Sequence, residues 1–153
     1  MPSPVGKTYS FKDLVGVMTS PLLILPLQLA GGNIGLGTIT INPLTVRTDH
    51  LVGTDGTVMP TYAAGDNADV TIEVQQTSPL HHALLDVYNA AITAANGGDV
   101  SNWATFVMSF RTILDGSGHY LAGVSFDKTP AKPYAAKGQN ITWKFWAAYA
   151  VNQ

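Results

Sequence analysis

The chain has 153 residues, of which 12% are charged, with a formal net charge of −2 and a mean hydropathy of +0.14. That length fits one domain with a sizeable core, and the charge content is about half of the roughly 25% usual in soluble proteins. Eight Lys plus Arg without a basic stripe exclude a dedicated nucleic-acid binder, and the apolar content excludes a disordered chain.

In chain order, Met1-Pro2-Ser3-Pro4-Val5-Gly6-Lys7 lacks the basic-then-apolar pattern of a signal peptide. Tyr9, Phe11 and then Leu14 to Met18 predict a first strand. From Leu14 to Val46 there is no charged residue, 33 positions in all. Its apolar heart, Leu22 to Ala30, contains Pro26 and is followed by Gly31, Gly32, Gly35 and Gly37. A membrane-spanning helix needs about 20 unbroken apolar residues, so the segment reads as buried strand and loop, with a face for a protein partner. Leu22 to Leu29 predicts an edge or bulged strand because Pro26 lacks an N–H. Thr38 to Ile41 and Leu44 to Leu51 predict a long strand interrupted at Asn42-Pro43. Asp55-Gly56 is a turn signal, and Thr57 to Tyr62 returns from it. Charge concentrates around that turn, on Arg47, Asp49, His50 and Asp55 beside Gly56.

Asp69 to Gln76 alternates. Val70, Ile72 and Val74 belong to a core, while Asp69, Thr71, Glu73 and Gln75 must meet water or a partner. Ser78 caps a helix over about 79–96 with Pro79 at its first position. Leu80, Leu84, Tyr88, Ala91 and Ala95 form its apolar stripe; His81, His82, Asp86 and Asn89 read as lying off it, the two histidines at a half-exposed helix start. Gly97-Gly98 ends it. Thr105 to Leu114, His119 to Asp127 and Asn140 to Val151 predict three more strands, the first two joined by Asp115-Gly116-Ser117-Gly118. The sum is a single, mainly β domain over 1–153: a sandwich or barrel of about seven or eight strands with one packed helix.

No constellation of catalytic residues emerges. Adjacent helical residues such as His81 and His82 point about 100° apart, and the i, i+4 zinc pair with a glutamate is missing. With no cysteine, thiolate metal sites and thiol nucleophiles are impossible. Asp66, Asp69 and Glu73 have the spacing of an ordinary polar strand face, not of a glycosidase pair. The Gly31–Gly37 cluster lacks the Lys-Ser/Thr of a phosphate loop. Asn140-Ile141-Thr142 spells a glycosylation site but lies within a strand pattern, and there is no Gly-x-Ser-x-Gly elbow. Trp143, Phe145, Trp146 and Tyr149 read as strand residues, with Trp143 and Phe145 sharing a core face. No enzyme activity, metal or cofactor is expected.

Several segments, in order, resemble one family. Thr8-Tyr9-Ser10-Phe11-Lys12-Asp13-Leu14 resembles the start of the tail tube proteins of contractile-tailed bacteriophages. Gly53-Thr54-Asp55-Gly56-Thr57-Val58-Met59 does so too, followed by Ala64-Gly65 and Val70-Thr71. Gln76-Thr77-Ser78-Pro79 leading to Leu84-Leu85 and Tyr88-Asn89 is also similar. So is the closing pattern: Gly123-Val124-Ser125-Phe126-Asp127-Lys128-Thr129-Pro130, Tyr134-Ala135, Lys137-Gly138 and Trp143-Lys144-Phe145. Pro21 to Asn33, Ile41-Asn42-Pro43-Leu44 and Asn96 to Asn102 depart from it.

The resemblance implies six copies in a ring and rings stacked into a tube inside a contractile sheath. That tube is built around a tape-measure protein, between a baseplate and a tail terminator. It implies a virion component, assembled in the host bacterial cytoplasm, that passes DNA without binding it specifically and has no membrane contact. It also implies a lumen lined by strands, for which Asp69, Thr71, Glu73 and Gln75 are the candidates, and an inter-ring loop carrying Arg47, Asp49, His50, Asp55 and Gly56. Tubes of tailocins and type VI secretion systems share this architecture. A lectin-like sandwich would instead carry aromatics and carboxylates on loops, and a small hydrolase would need the missing catalytic set.

Overall fold

The computed structural model describes residues 10–31, 36–114 and 116–152. Expectations resting on Met1 to Tyr9, on Gly32 to Gly35 and on Asp115 lie outside the described residues. Nine strands and one helix are present among the described residues: β1 (Leu14–Thr19), β2 (Leu27–Ala30), β3 (Leu36–Pro43), β4 (Thr48–Val52), β5 (Val58–Tyr62), β6 (Ala68–Gln75), α1 (Pro79–Asn96), β7 (Phe106–Thr112), β8 (Gly118–Phe126) and β9 (Asn140–Asn152).

Seven strands form one antiparallel sheet in the order β2-β1-β7-β8-β9-β6-β3, and β4 pairs only with β5. Laid flat, seven strands would span about 29 Å between the edges. Yet the edge strands β2 and β3 are consecutive in the chain, and Ala30 and Leu36 can be no more than about 21 Å apart. Helix α1 also contacts both β2 and β6, near the two edges. The sheet therefore curls around the core and α1 closes its open side, the barrel form of the expected architecture.

The elements form where the sequence demands. Ser78 is extended and its side chain accepts from the Leu80 N–H at 3.1 Å, capping α1 ahead of Pro79. Gly98, at φ 94°, ends it in the left-handed region, and the Asp99 N–H returns to Ala94 C=O. Along β6, Ala68, Val70, Ile72 and Val74 are buried and alternate with half-buried Asp69, Thr71 and Glu73. The inner face collects Val70, Ile72, Leu84, Phe106, Met108, Leu121, Trp143 and Phe145 around Phe126. Phe126 meets Tyr88, Phe106, Trp143 and Phe145 at ring separations of 5.3, 5.4, 5.8 and 4.9 Å. In β8 the buried positions change phase between Leu121 and Val124, at Gly123. Only a glycine takes its φ of 63° without strain, and a Cβ there would lie 2.8 Å from that of Ala148.

The structure corrects several boundaries. The first strand does not extend back to Phe11, which lies in a 3-10 turn, Phe11–Asp13. Leu22 to Pro26 is not strand; only Leu27–Ala30 pairs, at the sheet edge, so Pro26 ends the pairing instead of interrupting it. Asn42-Pro43 does not break a long strand: β3 runs through Pro43, which is tolerated because β3 is an edge, and a separate β4 begins at Thr48. The curled sheet has seven strands, within the number expected of the barrel, and the β4–β5 hairpin, which stands apart from it, brings the total among the described residues to nine.

Candidate functional site

Two surfaces are left over once the core is filled. The first is the outer face of β3, β6 and β9. The ladder sets Asp69 opposite Asn42 and Trp146, Thr71 opposite Thr40 and Lys144, Glu73 opposite Thr38 and Thr142, and Gln75 opposite Asn140. All four candidate lumen residues thus share one polar face, as the alternation of β6 requires. The face is internally bonded. Asn140 donates to Glu73 Oε1 at 2.6 Å, and Lys144 Nζ lies 3.8 Å from Asp69 Oδ2. Lys144 also sits 4.4 Å above the Trp146 ring, whose N–H donates to Asp127 Oδ1 at 2.8 Å. The one cation among these strands is therefore engaged by Asp69 and Trp146. The contribution of β9 was missed at the sequence level. Its outward residues Thr142, Lys144 and Trp146 alternate with buried Ile141, Trp143, Phe145 and Ala147, and that period of two was the available signal.

The second surface is the β4–β5 hairpin, an arm whose ten strand residues are all exposed. It leaves the sheet between the end of β3 and the start of β6. Arg47 sits at its base, ion-paired with Asp66, and the Ala63 N–H donates to Arg47 C=O at 2.8 Å. The Asp66 hydrogen bond holds the guanidinium protonated even more firmly than usual. Asp66 C=O accepts from the Ala150 N–H at 2.7 Å, tying the base to the end of β9. A cavity of about 400 Å³ lies there, lined by Pro43, Arg47, Asp66, His119, Ala150 and Asn152 among others. At the tip, Gly56 takes a φ of 87°. Asp55 Oδ1 accepts from the Thr57 N–H at 2.9 Å, which lowers the Asp55 pKa below the usual carboxylate value. Asp49 and His50 lie on β4, opposite Thr61 and Pro60. The structure therefore separates the candidate loop residues: Arg47 braces the base, Asp49 and His50 sit along the arm, and Asp55 and Gly56 form its tip. Sequence reasoning missed the arm's apolar content, the exposed Leu51, Val52, Val58, Met59 and Tyr62.

His81 is not at a half-exposed helix start. It is 3% exposed, and its Nδ1 accepts from Trp143 Nε1–H at 3.1 Å. Position 81 falls in register with Leu84, Tyr88 and Ala91 on the buried stripe, which its polarity hid. Among the described residues no cluster of His, Asp or Glu is placed to hold a metal, and no helix is long and apolar enough to cross a membrane.

The family model for the bacteriophage PhiTE tail tube protein matches residues 7–151. The chain belongs to this tail tube family. It is accordingly a member of a structural family of the phage tail, as the resemblance implied. A comparison with curated proteins gives no match. Among solved structures, the anti-feeding prophage cap that terminates the AFP tube superposes with a TM-score of 0.60 at 7% identity, over 100% of this chain and 95% of that one. The sheath/tube terminator of the extracellular contractile injection system PVC, in its extended state, gives 0.59 at 7% identity over 97% and 99%. The extended PVC sheath–tube complex gives 0.55 at 8% identity over 97% and 93%. At such identities these neighbours establish a shared tail-tube-like fold.

Proposed function

We propose that the chain is the subunit of the inner tube of a contractile phage tail, six copies closing a ring and rings stacking into a hollow channel that conducts DNA. Membership of the tail tube family carries this reading. The architecture supports it: the sheet ends in two edge strands, β2 and β3, which are hazards in a monomer and binding surfaces in a closed ring. In this arrangement Asp69, Thr71, Glu73 and Gln75 face the channel. A wall with acidic residues and one engaged lysine gives phosphates no place to stick. The arm, from Arg47 through Asp49, His50, Asp55 and Gly56, reaches the adjacent ring. The sheath, a tape-measure protein, the baseplate and a tail terminator are the other partners, and assembly takes place in the host bacterial cytoplasm.

The likeness of the fold to an injection-system tube complex supports one alternative, the tube of a tailocin or a type VI secretion system. DNA inside purified particles decides between the two. The test of the subunit reading is sedimentation over a wide concentration range, paired with negative-stain microscopy. Ring-sized species and hollow tubes are expected; a monomer at every concentration, featureless by microscopy, overturns the reading.

A further inference from the structure

Resting on the tube-subunit reading, we infer that the β4–β5 arm of one copy seats in an apolar groove at the opposite end of the next copy, so that stacking runs head to tail. The groove lies beyond the end of α1. It has a volume of about 560 Å³ and is lined by Ile92, Ala95, Val100, Ser101, Trp103 and Ala104. Beside it runs the turn between β1 and β2, where Ser20 Oγ and Thr105 Oγ1 lie 3.4 Å apart. That turn presents Ile24 at 100% and Leu25 at 77% exposure, between Pro21 and Pro26. Leu22 and Leu23 anchor it on the core.

Strand directions put arm and groove at opposite ends. The arm base bonds to Ala150 near the end of β9, in a cavity that includes His119 at the start of β8. The groove precedes the start of β7 and the turn follows the end of β1. Because β7 and β8 are antiparallel neighbours, where β7 begins is where β8 finishes. A projection at one end and a receptive surface at the other make a heterologous contact, which repeats without closing and so builds a stack.

The two surfaces match in chemistry. An isolated two-stranded hairpin is marginal in water, and this one exposes Leu51 and Met59 as a cross-strand pair on one face and Val52 and Val58 as the next pair, on the opposite face. Leu51 and Met59 make the face that enters the groove; each offers on the order of 100 Å² for burial, about half of it still free, so one arm covers on the order of 100 Å². One such contact is well below the roughly 1,000 Å² that a specific interface buries over its two partners together, but six around a ring, with both sides counted, reach it. The inference therefore makes ring formation precede stacking. The carboxylates at the junction, Asp55 and Asp99, are held by Thr57 and Ser101 and stay on its rim.

The absence of cysteine makes a disulfide trap clean. Four double variants combine Leu51→Cys or Met59→Cys with Ile24→Cys or Val100→Cys, all at exposed positions. Oxidised tubes of at least one pair are expected to give a ladder of covalent multimers on a denaturing gel, while the single variants stop at dimers. A second arm uses Ile24→Asp with Val100→Asp, expected to leave rings and abolish stacks. Normal tubes that give no ladder from any pair, or full-length tubes from the aspartate variant, overturn the groove assignment and leave the tube-subunit reading standing. Failure of the unaltered chain to form rings or tubes overturns both.

Discussion

Trp143 donates its indole N–H to His81 Nδ1 at 3.1 Å, with both side chains buried between α1 and β9. The bond requires His81 to be neutral with its proton on Nε2, and Nε2 has no partner among the described residues. Burial is the main cause that lowers the His81 pKa below 6.5; the nearby His82 and Lys132 add to it. The unfolded chain therefore takes up a proton at a higher pH than the folded one. The His81 contribution is complete above about pH 6.5 and is lost as pH falls from there through the lower folded value. Thermal unfolding between pH 7.5 and 5 should show this slope. His81→Asn, which keeps an acceptor near Nδ1 but does not titrate, should reduce it; an unchanged slope contradicts the assignment.

Trp143→Phe keeps most of the ring volume but leaves Nδ1 of His81 unsatisfied. A loss of about 1–3 kcal/mol is expected. Phe126→Ala removes the ring at the centre of four aromatic contacts and should cost about 3–5 kcal/mol. Denaturant unfolding measures both, and a smaller loss for Phe126→Ala than for Trp143→Phe would be inconsistent with this core.

Two glycines with positive φ should respond differently to alanine. At Gly56 nothing lies within 4 Å of a new Cβ, so only the backbone conformation resists, at about 1–2 kcal/mol. At Gly123 the new Cβ also meets that of Ala148 at 2.8 Å, and the loss should be larger. Equal losses from Gly56→Ala and Gly123→Ala would show that the turn of β8 against β9 can relax.

Much of this was legible in the residues, for physical reasons. The period of two in Asp69 to Gln76 fixed both faces of β6, and Ser78-Pro79 with Gly97-Gly98 marked both ends of α1. Trp143 and Phe145 share a buried face because they are two apart on a strand. Other features were hidden. His81 is polar, so a stripe defined by apolar residues passed over it. Leu22 to Leu29 is apolar enough for a buried strand, yet in the turn between Pro21 and Pro26, Ile24 is fully exposed and Leu25 largely so. The apolar residues of β4 and β5 read as the end of one long strand and its return from the Asp55-Gly56 turn. Nothing local to them says that the hairpin pairs only with itself.

Deleting Val52 to Val58 should leave the curled sheet folded, since the arm base is held by Arg47–Asp66 and by Ala63 bonded back to Arg47. Rings are expected without tube growth. Long tubes from the deletion variant would remove the arm from the inter-ring contact.

Replacing Thr71, Glu73 and Gln75 with lysine tests the channel wall. Every ring would then carry a belt of cations, and Thr71→Lys would also sit opposite Lys144. Tubes should assemble, and particles should adsorb and contract, while DNA delivery slows in a salt-sensitive way. Normal delivery contradicts the lumen assignment, and loss of sheath binding places this face outside.

The central claim is tested most directly by cryo-electron microscopy of the purified, assembled chain, viewed end-on. The account predicts closed six-fold rings with a central channel bordered by the Asp69, Thr71, Glu73 and Gln75 face of β6. Monomers at all concentrations, or assemblies without six-fold closure around a channel, would contradict it.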